Sequence, residues 1–128
     1  MLTVGIKGTQ SVIVSHDNTA ATMGSGTLAV FATPSMIALM EKTAYTSVQN
    51  ELDEGMGSVG TLISVKHLAA TPVGMTVTCE SELVEVDNRR LVFTVKAYDE
   101  KSLIGEGTHE RFIVQNEKFL AKTNAKMA

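Results

Sequence analysis

The sequence predicts an α+β domain in which an antiparallel sheet wraps around one long central helix. Three observations carry this. A single run of helical apolar spacing opens at Thr33-Pro34, one short strand-like segment precedes it, and four segments of strand-like alternation follow it, separated by turn residues.

The first strand is expected from Gly8 to Ser15, with Val12-Ile-Val14 as its apolar centre and His16-Asp-Asn18 as the turn that ends it. Thr19 to Gly26 is small, polar and glycine-rich, which suits a loop at the helix entrance. Leu28-Ala-Val-Phe31 suits a short strand or turn laid against the core. Thr33 suits the N-cap, where its oxygen can accept from a first-turn N–H. Pro34 suits the first helical position, where its missing N–H is not needed. Met36, Ile37, Met40, Ala44 and Val48 then make an apolar stripe, and Lys42, Thr46, Gln49 and Asp53 a solvated face. The helix is expected from Pro34 to Leu52, before Gly55-Met-Gly57, a length of about 28 Å.

Strands are expected over Ser58–Leu68, Met75–Val86, Arg89–Tyr98 and Ile104–Val114, with turns at Thr71-Pro-Val-Gly74, Asp87-Asn88 and Asp99-Glu-Lys101. Asp87-Asn-Arg-Arg90 is short enough to be a hairpin. Four strands in meander order need antiparallel pairing, because parallel neighbours require long crossovers. The tail from Asn116 to Ala128 suits a fraying or short surface segment, so residues 1–128 read as one domain with flexible ends at 1–7 and 123–128. A sheet of this kind leaves an edge, and an edge is commonly buried against a second copy, so a homodimer or higher oligomer is expected.

Composition narrows the function classes. With 44% hydrophobic and 20% charged residues the chain can bury a core, which excludes a disordered protein. A net charge of −3 offers no basic footprint, so no nucleic-acid partner is expected. No apolar run approaches 18 residues and no signal-peptide pattern opens the chain, so no membrane partner is expected. Cys79 is the only cysteine, which rules out an internal disulfide and a cysteine metal cluster and fits a reducing, cytoplasmic compartment.

Glu41 breaks the amphipathic pattern. It lies between Ile37 and Tyr45 on the apolar flank, where a carboxylate is either paired with a cation or held for chemistry. On the strand from Ser58, alternation places Thr61, Ile63, Val65 and His67 on the core face, so His67 is either a satisfied core histidine or a proton donor or acceptor beside Glu41. Thr33 can cap the helix and still donate its own proton. Eight residues of helix put Thr33 and Glu41 about 12 Å apart, so either a small group fits between them or two subunits build the site. Gly60 marks either a bulge or a close backbone approach. Gly107-Thr-His-Glu-Arg111 reads as a solvated sheet face or as part of a site, with His109 and Arg111 on one side of it. No phosphate loop, metal-ligand spacing or G-x-S-x-G elbow is present.

Four blocks resemble a known family. Phe31-Ala-Thr-Pro-x-Met-Ile-x-Leu-Met-Glu41, Gly60-Thr…Val65-x-His67-x-Ala-Ala-Thr-Pro-x-Gly74, Gly107-Thr-His-Glu-Arg111 and Glu117-Lys-Phe119 are similar, in order, to the fluoroacetyl-CoA thioesterase-like single-domain hotdog thioesterases. The resemblance implies a hotdog dimer that hydrolyses an acyl-CoA thioester, with Thr33, Glu41 and His67 at the catalytic positions and Gly60 near the acyl group. Coenzyme A would be part of the substrate, and no separate cofactor or metal is implied. Under that reading Glu41 is nucleophile or general base, Thr33 and the helix N-terminus stabilise the oxyanion, and His67 orients the attacking group or protonates the departing thiolate. Arg111, with Lys66, Arg89 and Arg90, is a candidate contact for the substrate's CoA phosphates. Members selective for fluoroacetyl groups resemble one another in phenylalanines before the helix, where this chain has Met23-Gly-Ser-Gly-Thr27, so a more open pocket for a short acyl group is expected. Two alternatives are a non-catalytic hotdog domain that binds acyl-CoA without releasing thiol, and a hotdog hydratase, which the lack of a histidine in the helix disfavours.

Overall fold

A computed structural model describes residues 1–127 of the chain. Its strands are β1 (Lys7–Ile13), β2 (Met56–His67), β3 (Thr76–Asp87), β4 (Arg90–Tyr98) and β5 (Leu103–Gln115). Its α-helices are α1 (Ala20–Met23), α2 (Thr33–Gln49) and α3 (Asn116–Asn124). The strands make one antiparallel sheet in the order β1-β3-β4-β5-β2, curved around α2.

That order corrects the expected meander. β3, β4 and β5 follow one another through tight turns, with Asn88 taking the left-handed φ of 56° between Asp87 and Arg90. β1 occupies the free flank of β3, so β2 has only the free flank of β5 to join. The chain between β2 and β3 therefore crosses the end of the sheet. Thr71 fastens this crossing by donating to the Asp99 carboxylate at 2.8 Å, in the β4–β5 turn.

The core lies between α2 and the concave face of the sheet. Met36, Met40, Ala44 and Val48 meet Val77, Cys79, Leu83, Phe93, Val95 and Ile104, all buried. Each of the larger side chains contributes roughly 1.5–3 kcal/mol by leaving water. The helix sits very close to the sheet. A Cβ at Gly105 would lie 2.5 Å from the Met36 sulfur and one at Gly8 would lie 2.7 Å from the Ser47 Cβ, so glycine at both places sets the depth of α2.

Three local expectations change. The N-cap is Ala32 and Thr33 is the first helical residue, with no side-chain cap bond, which frees the Thr33 hydroxyl. The entrance segment contains α1, capped at Thr19 and closed by Gly24 in the left-handed region, rather than loop alone. The tail forms α3, whose N-cap Gln115 accepts from the Lys118 N–H at 2.7 Å. At the other end, residues before β1 are held by paired bonds, Gly5 N–H to Leu83 C=O and Leu83 N–H to Ile6 C=O. The last residue of the expected flexible C-terminus, Ala128, lies outside the described residues.

Candidate functional site

The residues singled out from sequence fall into two clusters on the seam between α2 and the β2–β5 pair. The first is at the N-terminus of α2, where Thr33 Oγ1 and His67 Nδ1 are 2.7 Å apart. His67 reaches this point as the last residue of β2. Its Nε2 is buried and has no hydrogen-bond partner among the described residues. Burial, offset in part by the Ala69 backbone, holds the imidazole below its ordinary pKa, so it is a neutral ring able to take a proton. The helix start adds polarity. The Met36 N–H is bonded to Ala32 C=O and Pro34 has none, which leaves the N–H groups of Thr33 and Ser35 unused in the first turn. A cavity of about 320 Å³ opens there, lined by Thr33, His67, Phe31 and Val30 among others.

The second cluster surrounds Glu41. Arg111 Nη1 lies 3.9 Å from Glu41 Oε2, which supplies the cation that the misplaced carboxylate required. The Glu41 side chain is 42% exposed and Arg111 only 9%. Arg111 Nε donates to Ser58 Oγ and Nη2 to Ser58 C=O, both at 2.8 Å, and Nη1 is 3.2 Å from His109 Nε2. The guanidinium carbon stands 5.6 Å from the centre of the Tyr45 ring. Burial works against the Arg111 charge, while Glu41 and then Tyr45 support it. Gly60 closes the cluster. A Cβ on it would be 2.8 Å from Glu41 Oε2, and a cavity of about 200 Å³ lies between Glu41, Gly60, Ile63 and His109.

A β-bulge makes this arrangement possible. Pairing with β5 shifts between Gly60 and Leu62, leaving Thr61 unpaired and exposed. Strict alternation would put Gly60 and His67 on opposite faces of β2. The extra residue brings both to the helix side. Thr61, expected on the core face, is the residue displaced, and Ile63, Val65 and His67 are half-buried because β2 is an edge strand.

The sequence expectations meet the geometry unevenly. Thr33 and His67 are joined, but His67 is not beside Glu41 in the protomer. The Gly107–Arg111 run is not a solvated face, because His109 and Arg111 are buried against the helix side while Glu106 and Glu110 face out. As a contact for CoA phosphates Arg111 is badly placed, since its donors are taken by Ser58, His109 and Glu41. Lys66 and Arg89 are exposed, and Arg90 is paired with Glu85 and Glu110 on the outer face. Ser58 was not legible as a site residue, and His109 only as one member of the Gly107–Arg111 run. The available signal was parity: Gly105, Gly107, His109 and Arg111 share one face, with Gly105 where Met36 of α2 presses and Gly107 where the β2 backbone does. Among the described residues no group of three or more His, Cys, Asp or Glu could hold a metal ion, and no helix is long and apolar enough to cross a membrane.

Comparison with known proteins agrees with this fold. A fluoroacetyl-CoA thioesterase of Streptantibioticus cattleyicolor is 48% identical over 97 residues, covering 76% of this chain and 70% of that protein. The solved structure of the fluoroacetyl-CoA thioesterase FlK superimposes with a TM-score of 0.94 at 39% identity, covering 98% of both chains. A phenylalanine-to-alanine mutant of the fluoroacetyl-CoA-specific thioesterase, in complex with fluoroacetate and CoA, superimposes at 0.88 with 40% identity over 92% of this chain and 99% of that one. Residues 14–117 match the family described as fluoroacetyl-CoA-specific thioesterase, and the chain belongs to that family.

Proposed function

We propose that this chain is an acyl-CoA thioesterase, hydrolysing a short acyl-CoA to free acid and CoA. The observation that carries the mechanism is the 2.7 Å contact between Thr33 Oγ1 and His67 Nδ1 at a helix N-terminus. That spacing suits a nucleophile and its base. As Thr33 Oγ1 attacks the thioester carbonyl, His67 Nδ1 takes its proton, and the oxyanion forms against the unused N–H groups of α2. The imidazolium then protonates the leaving CoA sulfur, and a water deprotonated by the Glu41 carboxylate hydrolyses the threonyl ester, the departing Thr33 oxygen taking that proton back. A second reading is favoured by the exposed Glu41 carboxylate beside Gly60: Glu41 activates the water directly, and Thr33 only supports the oxyanion.

Both readings bring the two clusters together across a homodimer. β2 has a free edge, and two copies pairing antiparallel about a point between Ile63 and Ser64 would set Gly60 opposite His67 of the partner subunit. The acyl pocket then lies between subunits. The entrance residues Met23 to Thr27 contain no aromatic side chain, which supports a short acyl group without a fluoroacetyl requirement.

Free-thiol release from acyl-CoAs of increasing length tests the activity. Wild type should release thiol, and Glu41→Gln and His67→Ala should each fall strongly with unchanged circular dichroism. Near wild-type rates in both variants would sink the assignment, and tight binding of acyl-CoA without thiol release would establish the non-catalytic alternative. Mixing the two variants tests the shared site. Exchange should restore about a quarter of wild-type activity, because half the dimers are mixed and each has one intact site.

A further inference from the structure

We infer that His109 is a positioning residue of the hydrolytic site, locking the β2 bulge at Gly60 and the Arg111 guanidinium to each other and so fixing Glu41. The inference rests on the hydrolase reading above.

The partners of His109 settle its proton. Nδ1 is 2.8 Å from Leu62 C=O, and a carbonyl only accepts, so Nδ1 carries the hydrogen. Nε2 is 3.2 Å from Arg111 Nη1, and a guanidinium only donates, so Nε2 holds a lone pair. His109 is therefore neutral in one tautomer. It is 1% exposed, and its ring stacks on Phe93 with centroids 6.2 Å apart.

These bonds grip β2 on both sides of the bulge. Leu62 is held by His109 after it, and Ser58 is held twice by Arg111 before it. The nitrogen bonded to His109 is also the one facing Glu41, since Arg111 Nη1 serves both. A proton on Nε2 would remove its acceptor and set a cation against the guanidinium. The charged groups facing His109 are Arg111 on its own strand and Glu41 from α2, while Phe93 from β4 and Leu62 C=O from β2 bring no charge. Burial, and after it the Arg111 charge, outweigh the Leu62 bond and Glu41 and keep the ring neutral below its ordinary pKa.

Two variants separate the two bonds. The amide of His109→Gln reaches the Nε2 position and can accept from Arg111, whereas that of His109→Asn reaches only the Nδ1 position. On the full-length chain, kcat for thiol release should stay within about threefold of wild type in His109→Gln and fall about ten- to hundredfold in His109→Asn with KM little changed. The acid limb of the wild-type pH profile should contain two protonations, from His67 and His109, and that of His109→Gln about one. A wild-type kcat in His109→Asn, or an unaltered acid limb in His109→Gln, overturns the positioning role. Nitrogen-15 NMR of the wild-type imidazoles reads the lock without activity: an Nδ1–H tautomer at His109 is expected, and an Nε2–H tautomer overturns it. If wild type releases no thiol from any acyl-CoA, the hydrolase reading and the positioning of Glu41 for it fall together, and the NMR result still decides the lock.

Discussion

Gly60→Ala separates stability from catalysis at one methyl group. The backbone at Gly60 is not left-handed, so alanine can adopt it without strain. Its Cβ would lie 2.8 Å from Glu41 Oε2 and 3.3 Å from His109 Cε1, where ordinary contact begins at 3.4 Å. The carboxylate must therefore retreat by about 0.6 Å, the difference of those distances, and it can, because Glu41 is a flexible, partly exposed side chain. The retreat costs little stability, and alanine restricts the unfolded chain by about 0.4–1 kcal/mol in favour of the fold. Catalysis has no such tolerance, since a misplacement near 1 Å can cost about 100-fold. The expected outcome is an unfolding midpoint equal to or slightly above wild type, with kcat/KM for thiol release down about 10- to 100-fold. Activity within twofold of wild type would refute the role given to the Gly60–Glu41 approach, and a large loss of stability would refute the flexibility given to Glu41.

Other perturbations address separate parts of the site. Thr33→Ser should keep a measurable fraction of kcat and Thr33→Val should lose it, each within about 1 kcal/mol of wild-type stability; equal rates in the two variants would exclude Thr33 as nucleophile. Arg111→Gln should lower stability by about 1–3 kcal/mol in urea, because Ser58 loses its donors, and reduce kcat as Glu41 loses its cation, whereas Arg90→Gln on the outer face should leave both unchanged. Burial lowers the folded-state pKa of both His67 and His109, so the unfolded chain binds their protons first. Their contribution to stability is complete above about pH 6.5 and is lost as pH falls through the folded-state values. Urea midpoints should drop from pH 8 to pH 5, with a shallower drop in His109→Gln; identical slopes would count against a neutral His109 in the fold.

Much of the fold was legible because it rests on periodicity and turn chemistry. The change from 3.6 to 2 residues per repeat after Gly55, and the tight Asp87–Arg90 turn, located α2 and the four strands that follow it. The order of the strands was not legible, since the flank left to β2 depends on β1, which lies at the opposite edge of the sheet on β3. At the site, Glu41 stood out as a carboxylate on an apolar flank, and its cation proved to be 70 residues away, at Arg111. Alternation alone misplaced Thr61, because one bulged residue inverts the face of everything beyond it. Residue type suits Thr33 to capping, but Ala32 holds that place and the hydroxyl turns to His67.

The position of β2 at the far edge also has a kinetic meaning. Thr33 and His67 are 34 residues apart in the chain, Leu62 and His109 are 47 apart and Ser58 and Arg111 are 53 apart. Each of these bonds, which tie β2 into the site, therefore closes a long loop, whereas the β3–β4 hairpin closes a short one. The hairpin is expected in the folding nucleus, with β2 docking onto β5 after the rate-limiting step. Destabilising substitutions in β2 should then accelerate unfolding and leave the refolding limb of the chevron in place, while those at the β3–β4 turn slow refolding; the reverse pattern would contradict this order. On this order the proposed site would be the last region of the domain to form and the first to come apart.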